Sequence, residues 1–441
     1  MDFKAKKKYY NRCAPYEPLD PDDERNVDLD GLGDETGDYV RGINWTEKLL
    51  NEITLSDQTV FKLFTGHPGS GKTTELRRLA QRLSDPELGN FLPVFINAEE
   101  VIDLVNPIEV TDIISAIVFS AEKTVIEAEG GVPETSLDEG YLKRFWNWLT
   151  NTDAELKQVE FEVASVGKLV YEMKTRPALR KRIRKTAALH FSRFIKDAKN
   201  ELEMLNRRVK NTLKRDGMVI IFDSIEKLRG LTSNWHEVLA SAEQVFSGGA
   251  PYIRLPVHVL YTVPAALATR MTGVEFLPMI KVCDKTKSPY PKGINAAREL
   301  IRRRVPDDIL KEIFGADAMA GRLEKLILRS GGYPREIVQI LQMSIAQKQH
   351  PVSESAFEHI LADIANQYRM IVTGESFAWL ACVAKTKFLT IENDDHRQIA
   401  DLMLANHAVL RYLNDALWFE LHPAVYEIPG IQKAITDIES Q

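Results

Sequence analysis

Apolar positions along this chain follow two rhythms, short unbroken runs and stretches repeating at three and four residues, and their alternation predicts strands set between helices. The runs Val60-Phe61-Lys62-Leu63-Phe64-Thr65, Leu92-Pro93-Val94-Phe95-Ile96, Met218-Val219-Ile220-Ile221-Phe222-Asp223 and Val257-His258-Val259-Leu260-Tyr261-Thr262-Val263 read as buried strands. Helical spacing is predicted from Asn44 to Ile53, around 109–128 and around 138–149, with Gly130-Gly131 as a turn. Strands alternating with helices argue for an α/β fold with a parallel sheet. Beyond residue 318 the pattern is helical at 318–329, 354–368, 374–386 and 395–406. A hairpin then follows, Val409–Leu413 and Leu417–Leu421 about Asn414-Asp415, and helices followed by a β wing suggest a winged helix.

Between 174 and 215 the apolar residues Leu179, Ile183, Ala187, Phe191, Ile195, Ala198, Leu202, Leu205, Val209 and Leu213 predict one long amphipathic helix, broken at most once. Fifteen Lys or Arg against three acids give this stretch a charge of +12, so the remainder carries −18 of the overall −6. Three readings stay open: a solvated face or one paired with the chain's own acids, a nucleic-acid surface, and a surface for an acidic partner protein. Residues 1–38, basic and then rich in Asp, Glu and Pro, predict an extended or disordered arm whose Tyr9, Tyr10 and Tyr16 leave docking open.

The chemistry centres on Gly66-His67-Pro68-Gly69-Ser70-Gly71-Lys72-Thr73, which fits G-x-x-x-x-G-K-[ST] between a predicted strand and a helix continuing through Thr74. That context makes it a phosphate-binding loop. Glycines admit the phosphates to the backbone, Lys72 reaches them as a point charge, and the Thr73 hydroxyl suits magnesium. ATP or ADP with Mg²⁺ is the expected cofactor. A second strand ends in Asp223, placed to reach the magnesium shell, and Glu226 three residues on is placed to orient or deprotonate water.

Asp223-Ser224-Ile225-Glu226 resembles the acid, small, hydrophobic, acid pattern of STAND ATPases, the signal-transduction group that includes the NACHT and AP-ATPase families. Conventional AAA+ proteins carry the catalytic glutamate where Ser224 stands here, and the departure implies slow turnover. Gly332 and Pro334 are similar to the G-x-P motif of the STAND lid, and Arg335 to sensor 2 of origin-recognition-like AAA+ ATPases. The resemblance implies that Pro334 packs on adenine, Arg335 reaches the phosphates and Thr262 senses the γ-phosphate. It also makes His422 a candidate nucleotide contact, with a packed histidine the plainer reading. The fold class implied is α/β: a P-loop NTPase core with a parallel sheet, a long helical insertion, a helical lid and a C-terminal winged-helix-like domain. The expected divisions are 1–38, 39–270 with a basic insertion at about 150–216, 271–370 for linker and lid, and 371–441.

The function this implies is an ATP-binding and hydrolysing switch that controls a separate effector or sensor protein, with bacterial antiviral defence as a setting. Two alternatives remain: a DNA-associated AAA+ ATPase of the origin-recognition or transposition kind using the 174–215 helix, and a nucleotide-locked scaffold that hydrolyses little. A homo-oligomer is left open. Composition adds limits. The 441 residues, 44% hydrophobic and 27% charged, suit two or three globular domains. Cys13, Cys283 and Cys382 lie too far apart for a zinc motif, and fit a reducing compartment. No apolar run approaches the roughly 20 residues of a membrane span, so a cytoplasmic protein away from membranes is expected.

Overall fold

The computed structural model describes residues 1–32, 37–132, 174–228, 234–414 and 416–440. It divides into two compact units: a sheet unit of Leu49–Thr65 and Arg78–Glu275, and a lid unit of Met1–Lys48, Gly66–Arg77 and Phe276–Gln441. The phosphate-loop segment thus clusters with the C-terminal half, where the expected division placed it with the strands.

The sheet has five strands, β1 (Phe61–Gly66), β2 (Phe91–Asn97), β3 (Gly217–Asp223), β4 (His258–Thr262) and β5 (Val274–Leu277), in the order β2-β3-β4-β1-β5. The β2–β3, β3–β4 and β4–β1 pairs are parallel. Every residue of β3 is buried, as befits a strand whose apolar run does not alternate. The fold is therefore α/β with a parallel sheet, and β4 lies between β3 and β1. Helices Val110–Ala128 and Phe191–Thr212 cover the sheet, burying Ile117, Phe119, Phe194, Leu202 and Leu205 against β3 and β2.

The basic stretch forms two helices, Pro177–Leu189 and Phe191–Thr212, interrupted at His190. Much of its charge is spent locally. Arg180 pairs with Asp103 at 2.8 Å, Arg184 with Asp112 at 2.5 Å, and Arg208 with Glu129 at 2.5 Å. The reading in which the stretch faces the chain's own acids accounts for these three. The expected helix at 138–149, the insertion from 150 to 173, and Asp415 of the hairpin turn lie outside the described residues.

In the lid unit, residues 1–32 correct the expectation of an extended or disordered arm. Phe3–Arg12 is a helix capped by Asp2, whose carboxylate accepts from the Ala5 amide at 2.7 Å. It docks on helix Pro334–Ala346, with Lys6 Nζ on the carbonyls of Ala346 and Gln347 and Arg12 Nε on Arg304 O. Cys13, Val27 and Leu29 are buried in the unit's core. The acids that suggested disorder are in part paired: Arg25 holds Asp23 and Glu17, each at 2.7 Å.

Helices Pro291–Arg302, Asp307–Phe314, Met319–Arg329 and Pro334–Ala346 come after β5, followed by Glu354–Ile371, Phe377–Thr386 and Asp394–Ala405. A two-stranded hairpin of β6 (Val409–Leu413) and β7 (Leu417–Leu421) and a last helix, Pro429–Glu439, complete the order. The turn opening helix Pro334–Ala346 depends on Gly332, at φ 75°, where a Cβ would lie 1.9 Å from Ile280 O. Both left-handed backbone and that carbonyl forbid a side chain. Gly332→Ala is expected to lose about 3 kcal/mol, read as a fall in urea midpoint.

Candidate nucleotide site

In the lid unit the phosphate loop is fixed through its carbonyls. Lys72 opens the helix Lys72–Ser84 and folds back so that Nζ donates to Gly66 O at 2.9 Å and His67 O at 3.1 Å. Pro68 O accepts from Tyr333 Oη at 2.7 Å and from His407 Nε2 at 2.9 Å. Ser70 O accepts from Arg41 Nη2 at 2.6 Å. With the carbonyls of Gly66, His67, Pro68 and Ser70 engaged in this way, the loop keeps one shape, and the first-turn amides of the helix it opens have no intrahelical partners. Gly69 and Gly71, at φ 83° and 99°, permit the path.

Each donor is itself held. Arg41, 1% exposed, also pairs with Glu75 at 3.2 Å, and its own carbonyl takes the Trp45 indole N–H. His407 stacks on Tyr333, with ring centroids 4.7 Å apart and 16° between planes. His67 is fully buried, its Nδ1 donating to Leu404 O at 3.0 Å, which fixes the tautomer, and its ring edge-on to Phe276.

Burial pulls His67 down to about 3, helped by the charges of Lys72 and Arg411 and opposed by the Leu404 hydrogen bond. Burial also holds His407 well below the ordinary range. Both are neutral in the folded chain, while in the unfolded chain they take a proton below about pH 6.5. Their contribution is therefore complete above pH 6.5 and is lost as pH falls from there towards the folded value, at about 1.4 kcal/mol per pH unit for each. Urea unfolding at pH 7 and pH 5 should differ by about 2 kcal/mol more in the wild type than in His67→Gln. An equal difference in both would contradict a buried neutral His67.

Arg335, second residue of helix Pro334–Ala346, lies on the loop. A Cβ on Gly69 would meet its Nε at 2.5 Å. Its guanidinium stands 4.9 Å from the Tyr16 ring and Nε donates to Pro15 O at 3.3 Å. Beside it is a cavity of about 100 Å³, walled by Leu19, Val27 and Leu29 of the N-terminal segment, by Pro334 and Val338, and by the loop backbone at Gly69–Gly71. Glu17, Arg25, Arg41, Glu75 and Arg304 line it too, so the cavity beside the phosphate loop mixes apolar walls with charge. Thr74 reaches the same cavity.

In the sheet unit, Asp223 is the last residue of β3 and 1% exposed. Ser224 follows at φ 69°, and its hydroxyl donates to Asp223 Oδ2 at 3.4 Å. A 3-10 turn, Ile225–Lys227, then carries Glu226, also buried. Thr262, at the end of β4, accepts from Ile225 N at 3.0 Å and donates to Phe222 O at 3.3 Å. Its one hydroxyl proton is therefore committed to backbone, and the expected presentation of that hydroxyl to a phosphate is not what this geometry provides. What Thr262 does is brace the turn bearing Glu226.

Within one unit, then, the fold brings together Gly66–Thr74, Pro334 and Arg335, and within the other Asp223, Glu226 and Thr262. His422 takes the plainer of its two readings: it is fully buried, stacked on Tyr368 at 4.1 Å and 3.1 Å from Glu336. The histidine that reaches the loop from elsewhere in the chain is His407, just before the hairpin. Arg41 and Tyr333 were also missed. A residue type preceding a strand gave no signal for His407. The pair Arg41-Gly42, with Gly42 at φ 85°, offered a turn signal that went unused.

Thr73 in one unit carries a hydroxyl and Asp223 in the other a buried carboxylate, each an oxygen group of the kind magnesium takes. Among the described residues no group of three or more His, Cys, Asp or Glu side chains gathers to hold a metal, and no helix is long and apolar enough to cross a membrane.

No protein-family model matches the chain, and no curated protein is similar to it. Among solved structures it is similar to the ORC2 protein of Aeropyrum pernix, determined in ADPNP–ADP complexes, with 11% identity and a TM-score of 0.35 over 93% of this chain and 98% of that one. It is similar also to Cdc6p of Pyrobaculum aerophilum, with 11% identity and a TM-score of 0.32 over 97% and 98%. Likeness at these scores assigns no role to any residue.

Proposed function

We propose that this chain is a STAND-like nucleotide switch, binding ATP or ADP with magnesium at the Gly66–Thr74 loop and hydrolysing ATP slowly to reset a partner or effector protein. The observation that carries the proposal is the Pro68 carbonyl, clasped by Tyr333 from the lid and His407 from the approach to the hairpin. Two C-terminal segments thereby touch the phosphate loop itself, so a phosphate gained or lost there changes the footing of both. Lys72 and Arg335 are the cations proposed for the phosphates, and Pro334 packs on the base. Thr73 and Asp223 are the oxygen donors proposed for magnesium, which would supply charge neutralisation, and Glu226 is the carboxylate proposed to take a proton from water. The switch works only to the extent that ATP and ADP favour different arrangements. Isothermal titration should give affinities for ATP and ADP differing at least tenfold, narrowing to within about threefold in Arg335→Ala, as expected when a charge-assisted contact to the third phosphate is lost. Equal affinities in the wild type would contradict the switch.

A second reading, a DNA-associated ATPase, is favoured by one observation. On helix Phe191–Thr212, Arg193, Lys196, Arg207 and Lys210 are exposed at helical spacing along one face. If that face holds duplex DNA, log affinity should fall against log salt with a slope of about −3 to −4, and Lys196→Glu with Lys210→Glu should abolish binding. The hairpin does not add to this surface: Lys387 is tied to Glu420, and Arg411 lies over the Phe276 ring.

A further inference from the structure

The largest cavity described in the lid unit, about 620 Å³, shares no wall residue with the slot beside the phosphate loop and takes no part in the reading above. Its volume falls in the range of small-molecule sites, and its walls are mainly apolar: Leu328, Tyr412, Trp418, Tyr426 and Ile435. Three charged side chains reach it. Asp284 accepts from the amides of Thr286 and Ser288 and from the Thr286 hydroxyl, all three on Oδ1. Glu420 is consumed by Lys387, Tyr426 and the Leu421 amide. Lys287 differs: its ammonium sits 3.5 Å from the Tyr426 ring centroid and, among the described residues, makes no ion pair. An apolar chamber with one uncommitted cation at its edge has the chemistry for a small aromatic or branched anion.

The chamber also touches the turn that leads to the loop. Tyr412, stacked on Trp418 at 4.6 Å, donates its hydroxyl to Gly331 O at 2.5 Å. Gly331 itself lines the cavity at φ 59°, where a Cβ would lie 2.6 Å from Leu410 and 3.1 Å from the Tyr412 oxygen. Two residues on, Tyr333 holds Pro68 O, and four on, Arg335 lies on Gly69. The turn is thus gripped by the chamber's wall at one end and grips the phosphate loop at the other.

We infer that this chamber is an effector site for a small amphipathic anion, its charged group on Lys287 and its apolar body against Trp418 and Tyr412, and that occupancy changes nucleotide affinity through Gly331–Arg335. The coupling half rests on the nucleotide reading; the binding half does not.

The probe is 1-anilinonaphthalene-8-sulfonate, compared with its uncharged relative N-phenyl-1-naphthylamine, on the full chain. The expected result is saturable one-to-one fluorescence enhancement. Lys287→Glu, at an exposed position, should weaken the sulfonate at least tenfold and the uncharged probe by less than twofold, with Lys287→Arg restoring the sulfonate. Gln432→Trp, exposed at the chamber's wall, should block both probes without lowering the melting temperature. No saturable binding, or binding indifferent to Gln432→Trp, would overturn the site. Saturating sulfonate should shift the Kd for a fluorescent ATP analogue at least fivefold, and the analogue should shift the sulfonate's Kd by the same factor. A factor of one in both directions overturns the effector role. If the analogue fails to bind with or without sulfonate while the probe series behaves as stated, the nucleotide reading fails and the chamber stands.

Discussion

Lys72→Ala is expected to weaken ATP binding about 100-fold, close to 3 kcal/mol, while the chain remains folded. Lys72 is 3% exposed and its ammonium is already bound to the carbonyls of Gly66 and His67, so its charge is fixed at the mouth of the loop rather than searching for it. Removing it takes away a preorganised cation and two donors to the loop's carbonyls. The fold should survive, because Pro68 O and Ser70 O keep their bonds to Tyr333, His407 and Arg41. Fluorescence titration with an ATP analogue and a thermal melt together make the comparison. Unchanged affinity with an unchanged melt would remove the loop from nucleotide binding.

Glu226→Gln should abolish hydrolysis, by at least about 100-fold, and leave ATP affinity within about threefold. The side chain is buried on a short 3-10 turn whose first amide is tied to Thr262 and whose entry, Ser224, is held in the left-handed region. Such a turn presents one carboxylate with little freedom to wander. Glutamine keeps the shape and loses the base, so the loss appears in turnover and not in binding. If the wild type itself turns over no ATP, the nucleotide-locked scaffold becomes the reading, and the same substitution will then be silent.

The strands were legible because β3 is an apolar run buried throughout and β1 and β4 are buried along their last four residues, a pattern that depends on local sequence alone. β5 was not: Val274-Glu275-Phe276-Leu277 is only four residues long, with two buried positions. The phosphate loop was legible for a related reason, since its glycines, lysine and threonine act within eight residues. The contacts that clamp it were not legible. Arg41, Tyr333 and His407 reach Ser70 and Pro68 across 29, 265 and 339 residues, and no periodicity carries information over such separations. The N-terminal segment misled by composition. Its acids and prolines suggested disorder, yet Cys13, Val27 and Leu29 are enough apolar surface to dock it, and Arg25 neutralises two of the acids.

The most direct test is amide hydrogen exchange on peptides spanning 328–338 and 402–411, recorded with Mg-ATP under conditions where it is not consumed and with Mg-ADP. The switch predicts that, with both nucleotides saturating, exchange in the two peptides differs at least tenfold between them, and that Lys72→Ala removes the difference. Identical exchange in the two bound states would contradict it.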